Sequence, residues 1–203
     1  MKKDHTGLTP ANKEGREINA EACEKFSNDK EAIEFFKTAK ERLLSVNNWG
    51  NIAGKLSAHF QLTDADGKEV NRPVQKNDHF KIDIKGPGSS AGNGYDWVRV
   101  EDVKEVHHVD VDSIAVLVRP DSNPQTSNNN IAHFYSEKST STFIITREKN
   151  KVTAAIYDRN IEANEETGET SDKLRNAAVG LAAKFGFSKL QWKALVEALV
   201  KKD

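Results

Sequence analysis

The sequence has one cysteine and no long hydrophobic run, and these two absences exclude several classes of protein. Cys23 is the only cysteine among 203 residues, so an intrachain disulfide cannot form and nothing indicates an oxidising compartment. No window approaches the roughly 20 apolar residues of a membrane-spanning helix. The first residues carry two lysines without the apolar stretch of a secretory signal. We therefore expect a soluble, cytoplasmic protein with no membrane partner.

The chain also lacks an excess of charge of either sign. It has 30 basic and 31 acidic residues, which give a formal net charge of -1. The two signs alternate along most of the sequence, so no extended basic field is available to attract phosphate groups. A nucleic-acid partner is therefore not expected.

Glycine is concentrated in one stretch, KGPGSSAGNGYDW, at residues 85–97. A phosphate-binding loop would end in Lys followed by Ser or Thr and would run into a helix. This stretch has no such ending, and the alternating residues that follow it indicate a strand. We interpret residues 85–94 as a hairpin loop, with a lid over a cavity mouth as the alternative.

The apolar residues are few but periodic, and their spacing predicts the fold class. Hydrophobic residues make up 36% of the chain, and the mean hydropathy is -0.69. A helical stripe follows a capping box at Asn28 and Glu31 and ends near Leu44. About six alternating segments come next, joined by connections too short for helical crossovers, and two helices separated by a C-cap at Gly186 complete the chain. The pattern predicts an α+β fold with an antiparallel sheet and helices at both ends.

The same pattern predicts one domain at residues 28–203, preceded by a polar segment at residues 1–27. This N-terminal segment is interpreted as flexible or as an additional edge segment of the sheet. Polar linkers are expected at residues 85–94, 121–131 and 158–171.

Candidate metal ligands lie in HHVDVD, residues 107–112. In a continuous strand, His108, Asp110 and Asp112 would share a face, but the outer two would lie about 13 Å apart. Zinc needs three or four ligands around one ion. We therefore interpret this stretch as a turn between two strands, and we expect neither a metal nor another cofactor.

A catalytic signature is also missing, because no serine or cysteine nucleophile has a recognisable surrounding motif. His59, His79 and His133 are candidates for general acid–base chemistry together with Asp83. The strand pattern places His59, His79 and Asp83 opposite the apolar face, which predicts that they face solvent.

The aromatic residues offer the better candidates for a binding site, since tryptophan and tyrosine combine apolar area with one hydrogen-bonding group. Arg99 has the same strand parity as two of them, and an inward-facing arginine would need an anionic partner. The candidate ligand-binding residues are Trp97, Arg99, Tyr95, Phe60, Tyr157 and Trp192.

Three stretches, LLSVNNWGNIAG, NDHFKIDIKGPG and WVRVEDV, resemble the START/polyketide-cyclase group of helix-grip proteins. Proteins of that family often have a helix that ends before a Trp, a "G-D-x-F" strand and a closing amphipathic helix. Leu44 with Trp49, Asp78 with Phe80, and residues 190–200 occupy comparable positions here. The resemblance implies a curved sheet that grips the last helix, with a cavity for a small apolar or aromatic ligand. It implies no catalytic residue, because the family has no shared catalytic set.

The leading hypothesis is a binding protein rather than an enzyme, with a small apolar molecule as its partner in a cavity between the sheet and the C-terminal helix. One alternative is a cyclase- or hydrolase-type enzyme that uses His and Asp from the sheet. The other is a protein-interaction module, for which a homodimer would be the simplest assembly.

Overall fold

The computed structural model describes residues 4–54, 58–84, 89–164 and 186–202. Within these residues, seven strands and three α-helices are present, together with a short 3-10 helix at Val46–Asn48. In chain order they are β1 (Arg16–Lys25), α1 (Asp29–Leu44), α2 (Trp49–Ala53), β2 (His59–Thr63), β3 (His79–Asp83), β4 (Asp96–His107), β5 (Val111–Pro120), β6 (Thr140–Glu148), β7 (Lys151–Ile161) and α3 (residues 186–199).

The strands form one antiparallel sheet in the order β1-β7-β6-β5-β4-β3-β2. Consecutive strands from β2 to β7 are neighbours, so short connections suffice, and the predicted α+β fold is confirmed. Register irregularities occur between Val100 and Asp102 in β4 and between Arg16 and Ile18 in β1. Such irregularities bend a strand, and the curved sheet packs against α1 and α3.

The strand β1 lies within residues 1–27, for which an additional edge segment was one of the two interpretations, and it occupies one edge of the sheet beside β7. Only Ile18 and Ala20 of this strand are buried, and the remaining positions are polar or partly exposed. Alanine has a low preference for strands, and an edge strand buries little apolar area. The alternation in β1 is therefore too faint to recognise within residues 1–27.

The helix α1 begins and ends where the sequence predicts. The Asn28 side chain accepts a hydrogen bond of 3.0 Å from the backbone N–H of Glu31, and the Glu31 carboxylate accepts one of 3.3 Å from the backbone N–H of Ser27. The first of these bonds satisfies an N–H group that a helix start leaves without a partner. The buried positions of α1 pack against β6 and β7 and are Ala32, Phe36, Ala39 and Leu43.

The face of the sheet that packs against α1 and α3 is called the inner face, and it carries the main core. Trp49 of α2 lies at the centre, with its ring centroid 4.7 Å from that of Phe143 and 5.4 Å from that of Phe60. Its indole N–H donates to the backbone carbonyls at the end of α1. A fully buried indole with its N–H satisfied is a stable core element.

The opposite, outer face is also covered in part. Tyr157 and Ile144 belong to a second, smaller group of buried residues on this face, and Leu8 of the N-terminal segment packs against it. Asn160 binds the same segment, since its side-chain oxygen accepts a hydrogen bond of 2.7 Å from the backbone N–H of Lys13. The sheet is therefore buried on both sides near β6 and β7.

Two predicted boundaries near the C-terminus need correction. The strand β7 extends to Ile161, so residues 158–161 are strand rather than linker. Gly186 is helical and is not among the glycines with positive φ, so it is not the left-handed C-cap that the sequence suggested. The first of the two predicted C-terminal helices lies outside the described residues. Among the helices that are described, none has the length and apolar character needed to cross a membrane.

Candidate functional site

A cavity lies between the inner face of the sheet and α3. Its apolar wall comes from several strands and includes Ala58, Phe60, Phe80, Ile82, Val98 and Phe143. Trp192 closes it from α3, with its ring centroid 5.3 Å from that of Phe143 and 6.3 Å from that of Phe60. The cavity is thus in the position that the sequence predicted.

The enclosed part of this cavity is small. The empty space bounded by the lining residues is about 540 Å³ when the part open to solvent is included, but only about 50 Å³ has room for the centre of a water molecule. A cavity of roughly 150 Å³ is the size known to accept benzene. A ring-sized ligand therefore requires a side chain such as Trp192 to move.

One end of the cavity is polar, and Asp158 is its most unusual residue. On β7, Val152, Ala154 and Ile156 face the main core, and the alternation places Asp158 on the same inner face. Oδ2 of Asp158 accepts a hydrogen bond of 2.7 Å from Nε1 of Trp192. Burial raises the pKa of the Asp158 carboxyl to about 6, against the lowering effects of Ser141, Trp192 and the Arg159 charge.

The second oxygen of this carboxyl is poorly satisfied. Oδ1 of Asp158 is buried and makes no hydrogen bond of ordinary geometry in the described part of the chain. Ser141 on β6 lies directly across from Asp158. The Ser141 hydroxyl is close enough to lower the pKa of Asp158, but it makes no hydrogen bond of ordinary geometry with Oδ1. A buried polar atom in this condition costs free energy unless a partner reaches it.

Further polar groups surround this end of the cavity. The hydroxyl groups of Tyr135 and Ser188 lie 3.4 Å apart and connect the loop before β6 to α3. Burial raises the pKa of Tyr135, so the phenol stays protonated. Nδ1 of His133 accepts a hydrogen bond of 2.9 Å from the backbone N–H of Tyr135. This bond requires that Nδ1 carry no proton, so His133 is neutral in this arrangement.

A second, smaller void of about 20 Å³ adjoins the polar end. It shares six lining residues with the larger cavity, namely Val98, Val118, His133, Tyr135, Ser141 and Asp158. Its volume corresponds to one water-sized group. The carboxyl of Asp158 therefore lies between an apolar cavity and a pocket for a single small polar group.

Only two of the six predicted ligand-binding residues line the cavity, and these are Phe60 and Trp192. Trp97 is fully buried, but it faces the outer side, where its indole N–H donates to the Gly92 carbonyl at 3.4 Å. Tyr95 and Arg99 lie on this side too, so neither of these candidate residues lines the cavity. The Arg99 side chain is 47% exposed and pairs with Asp121 at 3.3 Å.

Tyr157 is likewise on the outer face, where its hydroxyl donates to the Glu21 carboxylate. Trp97 in β4 and Tyr157 in β7 lie outside the cavity for the same physical reason. Both strands carry large residues on both faces, because the chain covers the outer face at these positions. Aromatic content alone therefore does not distinguish the cavity side.

Of the residues predicted to face solvent, some are exposed and one is buried. His59 and Asp83 face each other across β2 and β3 and are exposed, as predicted. His79 was expected at a solvent-exposed surface but is 7% exposed, because Asp121 and Trp97 cover it.

Residues 89–94 of the glycine-rich loop pack beside Trp97 on the outer face. Residues 85–88 of this loop are outside the described part of the chain.

Asp158 is a residue of the cavity that was not among the predicted site residues, although the sequence contains a signal for it. In the series Val152, Ala154, Ile156 and Asp158, one carboxylate continues an apolar face. An acid at such a position is buried if the strand continues, and this identifies it as a candidate. Because a linker was predicted from residue 158 onward, Asp158 was not recognised as part of this series.

Within the described residues, no group of three His, Cys, Asp or Glu side chains is arranged to hold a metal ion.

Comparisons with known proteins give only distant similarity. No protein-family model and no curated protein matches the sequence. The hypothetical protein jhp0584 from Helicobacter pylori aligns with 90% of this chain and 87% of its own, at 12% identity and a TM-score of 0.48. The protein SA2116 from Staphylococcus aureus, of unknown function, aligns with 91% of this chain and 94% of its own, at 10% identity and a TM-score of 0.35.

A norcoclaurine synthase point mutant from Thalictrum flavum, in complex with a transition state analogue, is also similar. It aligns with 87% of this chain and 93% of its own, at 9% identity and a TM-score of 0.36. Similarity at this level carries no functional argument.

Proposed function

We propose that this protein binds a small organic molecule that has an apolar body and a polar head, in the cavity between the sheet and α3. The apolar body would contact Phe60, Phe80 and Phe143, and the polar head would lie beside Asp158. Concave, mostly apolar sites with a few convergent polar groups are the usual form of small-molecule sites.

The single observation that supports this proposal most strongly is the incompletely bonded Asp158 at the end of an apolar cavity. A chain selected only for stability would gain from an apolar residue there, because an ionised carboxylate is costly to bury. Oδ1 has no hydrogen bond of ordinary geometry among the described residues. A ligand that donates to Oδ1 would offset part of this cost.

Binding also requires the cavity to enlarge, since its enclosed part is only about 50 Å³. Trp192 is the side chain best placed to move, because it is only partly buried and lies between the cavity and α3. A ligand that replaces the indole against Phe60 and Phe143 would recover the apolar contacts that the movement breaks.

The test is an NMR titration of the protein, labelled with nitrogen-15, with benzyl alcohol as a neutral probe. The indole N–H signals of the three tryptophans are assigned with single Trp→Phe variants. We expect the signal of Trp192 to shift and saturate, while that of Trp97 on the outer face stays unchanged. The absence of a saturable shift at Trp192 would contradict the proposal.

Two matched variants locate the binding site. Ala58→Leu adds volume within the cavity, and we expect it to weaken the probe's binding at least tenfold. Ala155→Leu adds the same volume on the outer face and should leave the affinity unchanged. Circular dichroism checks that both variants fold. Equal affinities in the two folded variants would place the probe elsewhere.

A catalytic function is the second candidate, because His133 lines the same cavity as Asp158. Its test is the hydrolysis of para-nitrophenyl acetate by the protein and by His133→Gln. A hydrolysis rate that exceeds the rate in buffer and falls at least tenfold in the variant would support the catalytic function. Equal rates for the protein and the variant would reject it. Self-association of the chain stays a prediction, which sedimentation velocity would check.

A further inference from the structure

We propose that the polar head of the ligand is a primary ammonium group, and that Asp158 is its counter-ion. This inference rests on the proposed function, and it narrows the ligand to the class of primary amines with an apolar body. It depends on the charge, the donor count and the volume at the polar end of the cavity.

The side chains that face the Asp158 carboxyl across the cavity are neutral. The loop before β6 contributes neutral His133 and protonated Tyr135, β6 contributes Ser141, and α3 contributes Trp192 with Ser188 and Gln191. In the described part of the chain, none of these is a cation. A carboxylate with a pKa of about 6 is mostly ionised at neutral pH, and burial leaves it with a strong preference for a positive partner.

Among the described cations, Arg159 is the one whose charge lowers the pKa of Asp158, and it is directed away from the carboxyl. Burial raises the pKa of Tyr135, and a second cation, Arg16 of β1, partly offsets this rise through its charge. The guanidinium of Arg159 donates to the backbone carbonyls of Ile18 and Asp158 at 3.1 and 2.6 Å and to the Asn19 side chain at 2.6 Å. These partners hold it beside β1, over the ring of Tyr157. Arg159 lowers the pKa of Asp158 through its charge but forms no hydrogen bond with the carboxyl oxygens.

The donor count and the volume favour a primary ammonium over other cations. A primary ammonium has three N–H donors, and Oδ1 of Asp158 with the hydroxyl oxygens of Ser141 and Tyr135 supplies acceptors at this end. The adjoining void of about 20 Å³ suits one water-sized group. A trimethylammonium group is several times larger and donates no hydrogen bond, so it should be rejected.

The experiment compares three probes of similar shape at pH 7.5: benzylamine, benzyl alcohol and benzyltrimethylammonium. Affinities are measured from the Trp192 indole signal of the protein and of Asp158→Asn, with Asp83→Asn as the control for an exposed carboxylate. We expect the protein to bind benzylamine at least tenfold more tightly than benzyl alcohol, and benzyltrimethylammonium more weakly than either. In Asp158→Asn the amine and the alcohol should bind within about twofold, whereas Asp83→Asn should behave as the unmodified protein.

A second measurement needs no variant. On lowering the pH from 7.5 to 5, benzylamine remains protonated while Asp158 gains a proton, so the preference for the amine over the alcohol should fall several-fold. Equal binding of amine and alcohol at pH 7.5 would overturn the ammonium assignment and leave the proposed function intact. Binding of neither probe would contradict both.

Discussion

Nε1 of Trp192 donates a hydrogen bond of 2.7 Å to Oδ2 of Asp158, and this bond joins α3 to the end of β7. The indole also contacts the aromatic wall formed by Phe60 and Phe143. One side chain therefore closes the apolar cavity and stabilises the buried carboxylate at its end. Any ligand that reaches Asp158 must compete with this indole or bind beside it.

The first prediction concerns Asp158→Asn and the pH dependence of stability. The pKa of Asp158 rises from an ordinary value of 3.8 to about 6 on folding. Between these values the folded state binds more protons than the unfolded state, so the contribution of Asp158 to the free energy of unfolding falls as the pH rises. The total change is about 3 kcal/mol at most, at about 1.4 kcal/mol for each pH unit.

Urea denaturation of both proteins from pH 4 to pH 8 measures this effect. We expect the protein to lose stability relative to Asp158→Asn over this range, mainly between pH 4 and pH 6. The other carboxyl groups are common to both proteins and cancel in the difference. A difference that is constant with pH, or one that grows in favour of the aspartate, would contradict the prediction.

The second prediction concerns Trp192→Phe, which removes the N–H donor to Asp158. Hydrogen bonds to charged groups contribute about 1.5–3 kcal/mol, more than those between neutral groups. We therefore expect the loss of stability to be larger at pH 8, where Asp158 is ionised, than at pH 4. Trp97→Phe is the control, because the Trp97 indole donates to a neutral backbone carbonyl. Equal pH dependence in both variants would argue against the Trp192–Asp158 bond.

The third prediction concerns the start of α1. Asn28→Ala removes the side-chain acceptor for the Glu31 N–H and should lower the free energy of unfolding by about 1 kcal/mol. Lys30→Ala changes an exposed residue in the same turn and should have an effect below about 0.5 kcal/mol. Chemical denaturation of the two variants checks the prediction, which fails if they are equally stable.

The fourth prediction compares two glycines with positive φ. A Cβ at Gly15 would lie 2.5 Å from the Ile161 carbonyl oxygen, whereas one at Gly7 would meet no atom within 4 Å. Gly7→Ala should therefore cost about 1–2 kcal/mol from its backbone conformation alone. Gly15→Ala should cost clearly more, because β1 and β7 must also separate where they pair. Thermal unfolding ranks the two variants, and an equal Tm would contradict the close approach.

The strands from β2 to β7 and the start of α1 follow from the sequence, because alternation and capping are local properties. The strand β1 does not, since its inner positions are Ile18 and two alanines and its pairing with β7 spans more than 100 residues. Long-range pairing of a weak strand leaves no local signal.

The candidate site was predictable only in part. The alternation in a strand shows which residues share a face, but it does not always show which of the two faces meets the helices. In β4, Trp97 lies on one face and Val98 and Val100 on the other, and all three are buried. The loop at Gly92 covers Trp97, so hydrophobicity does not show which face meets α3. Asp158 could be predicted to lie on the inner face only if β7 was known to continue to Ile161. Phe60 and Trp192 line the cavity, and Phe60 lies on the apolar face that the alternation of β2 indicates.

The central claim is tested most directly by a crystal structure of the protein soaked with benzylamine at pH 7.5. The account predicts the amine nitrogen within about 3 Å of an Asp158 carboxyl oxygen, the ring against Phe60 and Phe143, and the Trp192 indole displaced from its present position. Clear density for benzylamine only at the surface, with the Trp192–Asp158 bond unchanged and the cavity without the probe, would contradict it.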